Sequence, residues 1–278
     1  MLTAILFFAV MNIMIKYIPE IGAVEIVFFR SLVSLVMSYV MIRRLGLSIW
    51  GNNKTWLIIR GVAGSIGLLL FFITIKEIPL GSAIAIQYLS PIFTSVLGIY
   101  IVKEKVQPIQ WLFFSLAFAG VLAIQGFDDR VPMIYALAGV LGAVGAGMAY
   151  NSIRKLKGSD HPLVIIFYFP LITLPLTAIY LIWHWQTPNL FEFGMLIGIG
   201  VVTQFAQYFM TKAYQSDELS KISSIQYIGI VFALFFGFVL FDETYSAYSG
   251  LGIVLILLGV ILNVSYKNRM AKKAIESE

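Results

Sequence analysis

The chain has 278 residues, of which 60% are hydrophobic and only 12% are charged, and its mean hydropathy is +0.91. The chain has too few polar residues to cover the surface of a water-soluble globule. The composition therefore excludes an ordinary soluble domain and indicates a lipid environment. Cysteine is absent, which excludes disulfides and cysteine nucleophiles. The net charge of +5 lies in short segments between apolar stretches rather than on one polar face, so we expect no nucleic-acid partner.

A helix needs roughly 20 apolar residues to cross a bilayer core of about 30 Å. Ten stretches of the chain meet or approach this length, and together they predict an all-α integral membrane protein. Met1 leads straight into the first stretch without a small-residue cleavage site, so we expect a membrane helix there rather than a signal peptide. The predicted spans are Leu2 to Tyr17, Val24 to Ile42, Thr55 to Ile75, Leu80 to Val102, Pro108 to Gly126, Val131 to Ile153, Pro162 to Trp183, Phe193 to Lys212, Ser220 to Phe241 and Tyr245 to Tyr266.

Lysine and arginine are concentrated in alternate connections. The odd-numbered connections hold only Lys16, Lys76 and Arg130, whereas most other basic residues lie in the even-numbered connections and after Tyr266. Because the side richer in these residues normally stays in the cytoplasm, both termini are predicted to be cytoplasmic and the number of spans even. Residues 267–278, which are basic and then acidic, are expected to form a frayed or disordered cytoplasmic tail.

The chain also matches itself at a shift of 139 residues. Each copy holds five predicted spans, in residues 1–130 and 131–266, so the second copy is expected to be inverted in the bilayer relative to the first. Many secondary transporters build access to one central site from both sides of the membrane in this way. Leu80, Ile86, Gln87, Tyr88, Gly98, Glu104 and Gly120 align with Leu219, Ile225, Gln226, Tyr227, Gly237, Glu243 and Gly259, and Asn12 and Lys16 align with Asn151 and Lys155.

Several motifs accompany this duplication: Phe28-Phe29-Arg30 in the second span, Gln87-Tyr88-Leu89-Ser90-Pro91 in the fourth, and Lys103-Glu104-Lys105 after it. With them the chain resembles the EamA-type members of the drug/metabolite transporter superfamily over essentially its whole length. The resemblance implies a ten-helix carrier for small metabolites in the bacterial inner membrane, with no cofactor. It also implies a cavity formed by spans one to four and six to nine, with spans five and ten as packing or oligomer surfaces in a monomer or weak homodimer.

Polar side chains within the spans mark faces that point to protein or water. In span eight they recur at helical spacing and are expected to line a substrate cavity, although hydrogen bonds between helices are an alternative. Two duplicated Gln-Tyr pairs are expected either at the cavity or at a helix crossing. Pro91 frees a backbone carbonyl, which predicts a hinge. The predicted binding residues are Asn12, Arg30, Gln87, Tyr88, Tyr150, Asn151, Gln204, Gln207, Tyr208, Thr211, Gln226 and Tyr227.

Arg30 is the basic residue deepest within a span, and it requires either a partner or an aqueous cavity. Three interpretations are open: a structural ion pair or carbonyl clamp, a binding group for a substrate carboxylate or phosphate, and a gating switch. Arg60 lies nearer a helix end and is expected to snorkel as a topology or interface residue. Glu25 is the candidate for proton coupling. Glu104 and Glu243 lie at loop entries and are each expected to cap the following helix and fix the loop, with a role in coupling as the alternative.

Glycines crowd spans three and six, where they predict close helix packing. The only histidines, His161 and His184, have no acidic or thiol neighbour at ligand spacing, so no metal site is expected.

The sequence thus predicts a non-enzymatic secondary transporter of a small amphipathic metabolite, such as an amino acid or a related compound, by alternating access. The alternative is an intramembrane lipid-modifying enzyme, which would need clustered His, Asp or Glu within the spans.

Overall fold

The computed structural model describes residues 1–103, 106–127, 129–215 and 228–276, and its regular structure in these ranges is entirely helical. Apolar residues dominate each element, as expected of helices that satisfy their backbone hydrogen bonds internally in lipid. The helices are α1 Leu2–Lys16, α2 Ala23–Arg44, α3 Lys54–Glu77, α4 Leu80–Gln87, α5 Ser90–Ile101, α6 Pro108–Phe127, α7 Met133–Lys155, α8 Pro162–His184, α9 Leu190–Gln215, α10 Ile228–Phe241 and α11 Ala247–Glu276.

Seven helical stretches of the described residues are long and apolar enough to cross a membrane. They are α2, α3, α7, α8, α9, the pair α4 and α5 taken together, and Ala247–Tyr266 within α11. Leu2–Lys16, Pro108–Ile124 and Gly229–Phe241 are shorter apolar helices. The prediction of a frayed tail after Tyr266 is wrong, because α11 continues to Glu276. Alanine and lysine, which are good helix formers, dominate residues 271–274 and account for this extension.

The main helix contacts join the first half of the chain to the second. The helix α3 packs against α7 and α8, while α2 packs against α8 and α9. The helix α1 packs against α9 and α10, α4 packs against α10, and α5 packs against α7. The helices α6 and α11 form an extensive pair of their own. One large apolar core therefore extends across both halves.

The predicted glycine contact between spans three and six is confirmed at the crossing of α3 and α7. A Cβ atom added to Gly145 would lie 2.8 Å from the Cα of Gly67 and 2.9 Å from the carbonyl oxygen of Ala63. A Cβ atom on Gly67 would lie 3.0 Å from the carbonyl oxygen of Gly142. Both sides of the crossing are thus backbone, and no side chain can be inserted without separating the helices.

The Glu243 carboxylate binds three groups at one end of the helices. It accepts from Lys16 Nζ at 3.0 Å, from the backbone N–H of Leu80 at 2.8 and 2.9 Å, and from the hydroxyl of Tyr245 at 2.7 Å. Burial and this carboxylate raise the pKa of Tyr245, which lies in the loop before α11, well above its usual range. Glu243 therefore caps α4, so the prediction that it caps the helix following it is wrong, whereas its bond to Tyr245 agrees with the predicted fixation of the loop. Glu104 lies outside the described residues.

Candidate functional site

A cavity of about 190 Å³ lies between helices α1 to α5 and helices α7 to α10. Along α1 it runs from Asn12 to Met1, and so away from the end that holds Lys16 and Glu243. Apolar side chains form most of its wall, and a few polar ones interrupt them. This composition is typical of a site for a small organic molecule, where apolar contacts supply area and a few polar groups fix orientation.

Half of the twelve predicted binding residues meet at this cavity. Asn12 comes from α1, and Gln207 comes from α9 on the opposite side. Gln226 and Tyr227 lie outside the described residues, and Gln204, Tyr208, Thr211 and Asn151 do not line the cavity. The predicted residues that line it are Asn12, Arg30, Gln87, Tyr88, Tyr150 and Gln207.

The polar atoms of Gln204 bind helix α2 instead. Its side-chain oxygen accepts from the hydroxyl of Ser34, and its Nε2 donates to the hydroxyl of Ser38 at 2.8 Å. Asn151 has a similar role, because its Nδ2 donates to the carbonyl oxygen of Thr94 in α5 at 2.9 Å. For Gln204 the structure therefore has the hydrogen bonds between helices that were the alternative to cavity lining, and Asn151, which was expected at the cavity, makes a bond of the same kind.

Replacing Gln204 with leucine is expected to lower stability without changing ligand binding. The substitution leaves the buried hydroxyls of Ser34 and Ser38 without their α9 partner, which costs about 1 to 3 kcal/mol. The midpoint of thermal unfolding in detergent, measured without and with ligand, tests this. An unchanged midpoint, or a loss of ligand-induced stabilisation, would contradict the structural role.

Arg60 was predicted to snorkel to the membrane surface, and this prediction is wrong. Its side chain is only 3% exposed and lines the cavity. Its Nη2 donates to the Oε1 of Gln207 at 3.2 Å, and its Cζ lies 5.1 Å from the ring centre of Phe169. Position along the sequence indicates the depth of a residue in a span, but not which way its side chain points around the helix. Here the side chain points inward, towards α8 and α9.

Arg30 also lies at the cavity and is 1% exposed. Its Cζ lies 5.1 Å from the ring centre of Phe169 and 5.8 Å from that of Phe72. No described carboxylate lies within ion-pair distance of it, so an ion pair does not account for its burial. Glu25 in particular is buried elsewhere, where its Oε2 accepts from the backbone N–H of Gln186 at 3.3 Å, and it does not line the cavity.

The helix of the predicted fourth span is interrupted beside the cavity, close to Pro91. The helix α4 ends at Gln87, and α5 begins at Ser90 with Pro91 in its first turn. Proline has no N–H, so the bond that would continue the helix across Tyr88 and Leu89 cannot form. The interruption directs the side chains of Gln87, Tyr88 and Ser90 to the cavity wall.

No group of three or more His, Asp or Glu side chains that could hold a metal ion occurs within residues 1–103, 106–127, 129–215 and 228–276. The polar part of the cavity wall consists mainly of two guanidinium groups, amides, phenols and a hydroxyl. Such groups donate and accept hydrogen bonds, so they can orient a bound molecule in the cavity.

Comparison with known proteins places this arrangement in a family. The sequence model of the EamA-like transporter family matches residues 1–125 and 133–265. The pseudopaline exporter CntI of Pseudomonas aeruginosa is 33% identical over 258 residues, which cover 91% of this chain and 90% of the relative. The riboflavin transporter of Vibrio cholerae is 25% identical, with 98% and 94% of the two chains covered.

A solved crystal structure superposes with a TM-score of 0.70 at 17% identity and covers 96% of both chains, so the two share a fold. The family match extends over most of the chain, and the apolar helices are those of a protein embedded in a bilayer. The chain is therefore an integral membrane protein that belongs to the EamA-like transporter family of the drug/metabolite transporter superfamily.

Proposed function

We propose that this chain is a secondary transporter that moves a small organic metabolite, an amino acid or a related compound, across the bacterial inner membrane by alternating access. The observation that carries the proposal is the cavity between the two halves of the chain, which combines an apolar wall with polar side chains from both halves. A small-molecule substrate would bind there, and the lipid bilayer would surround the helices. One relative is named as an exporter of pseudopaline and another as a transporter of riboflavin, and both names support a metabolite as the substrate.

The proposed architecture is ten membrane helices in two inverted repeats, residues 1–130 and 131–266, followed by a cytoplasmic segment, residues 267–278. The three shorter apolar helices would then also cross the bilayer, and both termini would be cytoplasmic. The two separate matches of the family model, at residues 1–125 and 133–265, support the division into repeats.

The pairing of helices supports the same architecture. The shift of 139 residues relates α1 to α7, α2 to α8, α3 to α9, α5 to α10 and α6 to α11. Under this exchange the contact of α1 with α9 becomes that of α3 with α7, and the contact of α2 with α9 becomes that of α3 with α8. The contacts of α2 with α8 and of α6 with α11 map onto themselves. A pseudo-twofold axis between the repeats would produce this set of pairs.

Alternating access requires one end of the cavity to be closed while the other is open. The Glu243 carboxylate joins Lys16 of α1 and the start of α4 to the loop before α11, which belongs to the second half. The cavity extends in the opposite direction, towards Met1. We therefore propose that these Glu243 contacts form the closed end and separate when that end opens. Glu25, which lies outside the cavity wall, remains a proposed coupling residue, and Pro91 a proposed hinge.

Flux into sealed proteoliposomes tests the proposed function. Radiolabelled amino acids and organic acids are the probes, and we expect accumulation of at least one of them unchanged. Gln207→Ala should reduce that flux at least about tenfold, because it removes a cavity amide that also accepts a hydrogen bond from Arg60. Gln215→Ala is the matched control on α9, since Gln215 does not line the cavity. Absence of flux for every probe, or equal loss in both variants, would contradict the proposal.

A further inference from the structure

The cavity is unbalanced in charge. Arg30 and Arg60 both line it, and none of the described residues in its wall is acidic. Both guanidinium groups are more than nine-tenths buried, and burying an unpaired charge costs several kcal/mol. Stacking on Phe169 orients both guanidinium groups and offsets part of the free-energy cost of their burial. It does not neutralise their positive charge.

Several hydrogen-bond donors of the two arginines are unpaired. The Nε and Nη1 atoms of Arg30 and the Nε atom of Arg60 are buried without a hydrogen-bond partner. The donor of Arg60 that is used, Nη2, binds a neutral amide oxygen of Gln207 rather than a carboxylate. Buried donors of this kind are normally satisfied in proteins, so unpaired ones at a cavity indicate a place for an acceptor that the chain does not supply.

The local packing keeps these groups in place. Gly64 follows Arg60 by one helical turn, and a Cβ atom there would collide with Arg60 Nη1 and come within 2.9 Å of the Phe169 ring. The absence of a side chain at Gly64 therefore allows the guanidinium to lie across the ring. On the other side, Phe72 and Phe169 together hold Arg30. Groups fixed in this way lose little conformational freedom when a ligand binds.

We propose that Arg30 and Arg60 together bind the carboxylate of a small organic anion, whose apolar part contacts the aliphatic and aromatic side chains of the cavity. The planar fork of donors on a guanidinium matches a carboxylate, and two such groups around one cavity favour a net negative ligand over a neutral one. Leu68, Phe71, Ile84 and Met210 supply part of the apolar wall of the same cavity. This inference deepens the proposed function, on which it rests, by assigning the charge of the substrate.

Pairs of probes that differ only in charge test this assignment. One pair is phenylacetate and phenylacetamide, and the other is hexanoate and hexanamide. The two members of a pair have the same hydrocarbon part, but one ends in a carboxylate and the other in a neutral carboxamide. We expect the carboxylates to bind the detergent-purified protein at least about tenfold more tightly than the amides, as judged by the concentration that gives half of the maximal thermal stabilisation. Arg30→Gln and Arg60→Gln should each reduce carboxylate affinity by about 10 to 100-fold and leave amide affinity nearly unchanged.

Two further variants separate ligand binding from a structural role. Arg44→Gln removes the same charge from the exposed end of α2 and should leave the preference for carboxylates intact. Arg30→Met should unfold without ligand at the same temperature as the wild type or higher, because it removes a buried charge that has no partner. Equal affinity for acids and amides in the wild type would overturn the inference, as would an undiminished preference in both Gln variants. Unfolding of both Arg30 variants would also overturn it.

These binding measurements do not depend on flux. If carboxylates bind through both arginines but no probe crosses the membrane, the proposed transport is wrong for these compounds while the anion site stands. If a neutral compound is transported and carboxylates are not preferred, the result supports the proposed transport and contradicts the proposed anion site.

Discussion

Gly145→Leu is expected to lower stability strongly and to reduce the yield of folded protein. The Cβ of any side chain at this position would lie within 3 Å of the backbone of α3, at the Cα and N of Gly67 and the carbonyl oxygen of Ala63. Because these atoms are backbone, the clash cannot be relieved by a change of rotamer, and α3 and α7 must separate. Overpacking costs about 1 to 3 kcal/mol where side chains can adjust, so we expect at least about 3 kcal/mol here, a large share of a typical total stability.

The measurement is the yield of monodisperse protein after extraction in detergent, together with its midpoint of thermal unfolding. Gly194→Leu is the matched control, since Gly194 also lies within a helix, α9, but a Cβ atom there would meet nothing within 4 Å. That control should be neutral or slightly stabilising, because leucine favours a helix over glycine. Comparable yield and midpoint for the two variants would show that the crossing of α3 and α7 is not as close as described.

The second large effect is expected at Glu243. Glu243→Ala removes the only described ion-pair partner of Lys16 and the cap on the backbone N–H of Leu80. The side chains of Lys16 and Glu243 are 16% and 9% exposed, so the charge left on Lys16 is poorly solvated. Breaking such a pair costs about 3 to 5 kcal/mol. We expect a clear fall in the midpoint of thermal unfolding, and a smaller one for Glu243→Gln, which keeps an oxygen for the Leu80 N–H.

A double-mutant cycle with Lys16→Met isolates the ion pair from the cap. In the Glu243→Ala background, Lys16→Met should cost little or should restore stability, because the unpaired charge is removed together with its former partner. If the two single effects simply add, the contact between Lys16 and Glu243 contributes nothing, and the proposed closed end loses its main support.

Several features were predictable because they depend on composition and local spacing. The excess of apolar residues predicted a membrane protein, and the glycines near residues 67 and 145 predicted a close helix crossing. Arg30 could be identified as a buried residue that needs either a partner or a cavity, because a cation so deep in a span cannot easily reach the membrane surface. Five other predicted residues also line the cavity, since polar side chains within a span must face protein or water.

Other features depend on contacts between distant parts of the chain, which no local pattern reports. Gln204 and Gln207 lie almost one turn apart on α9, yet Gln204 binds serines of α2 while Gln207 reaches the cavity. Their difference is set by the neighbouring helix. Glu243 caps α4, which precedes it by more than 160 residues, and a rule about the next helix could not find it. Arg60 was misplaced for the same reason, because its partners are on α8 and α9.

The interruption at Tyr88 and Leu89 has a mechanical consequence. The segment before it, α4, contacts α10 and α7 and binds Glu243, whereas the segment after it, α5, packs mainly against α7. Pro91 cannot donate a backbone hydrogen bond, so tilting one segment relative to the other breaks no bond at that position. We propose that rearrangement of the halves bends this transmembrane segment at low energetic cost. The same two-residue turn would reorient Gln87 and Tyr88 in the cavity wall, so that displacement of the helices and release of the bound solute would be a single event.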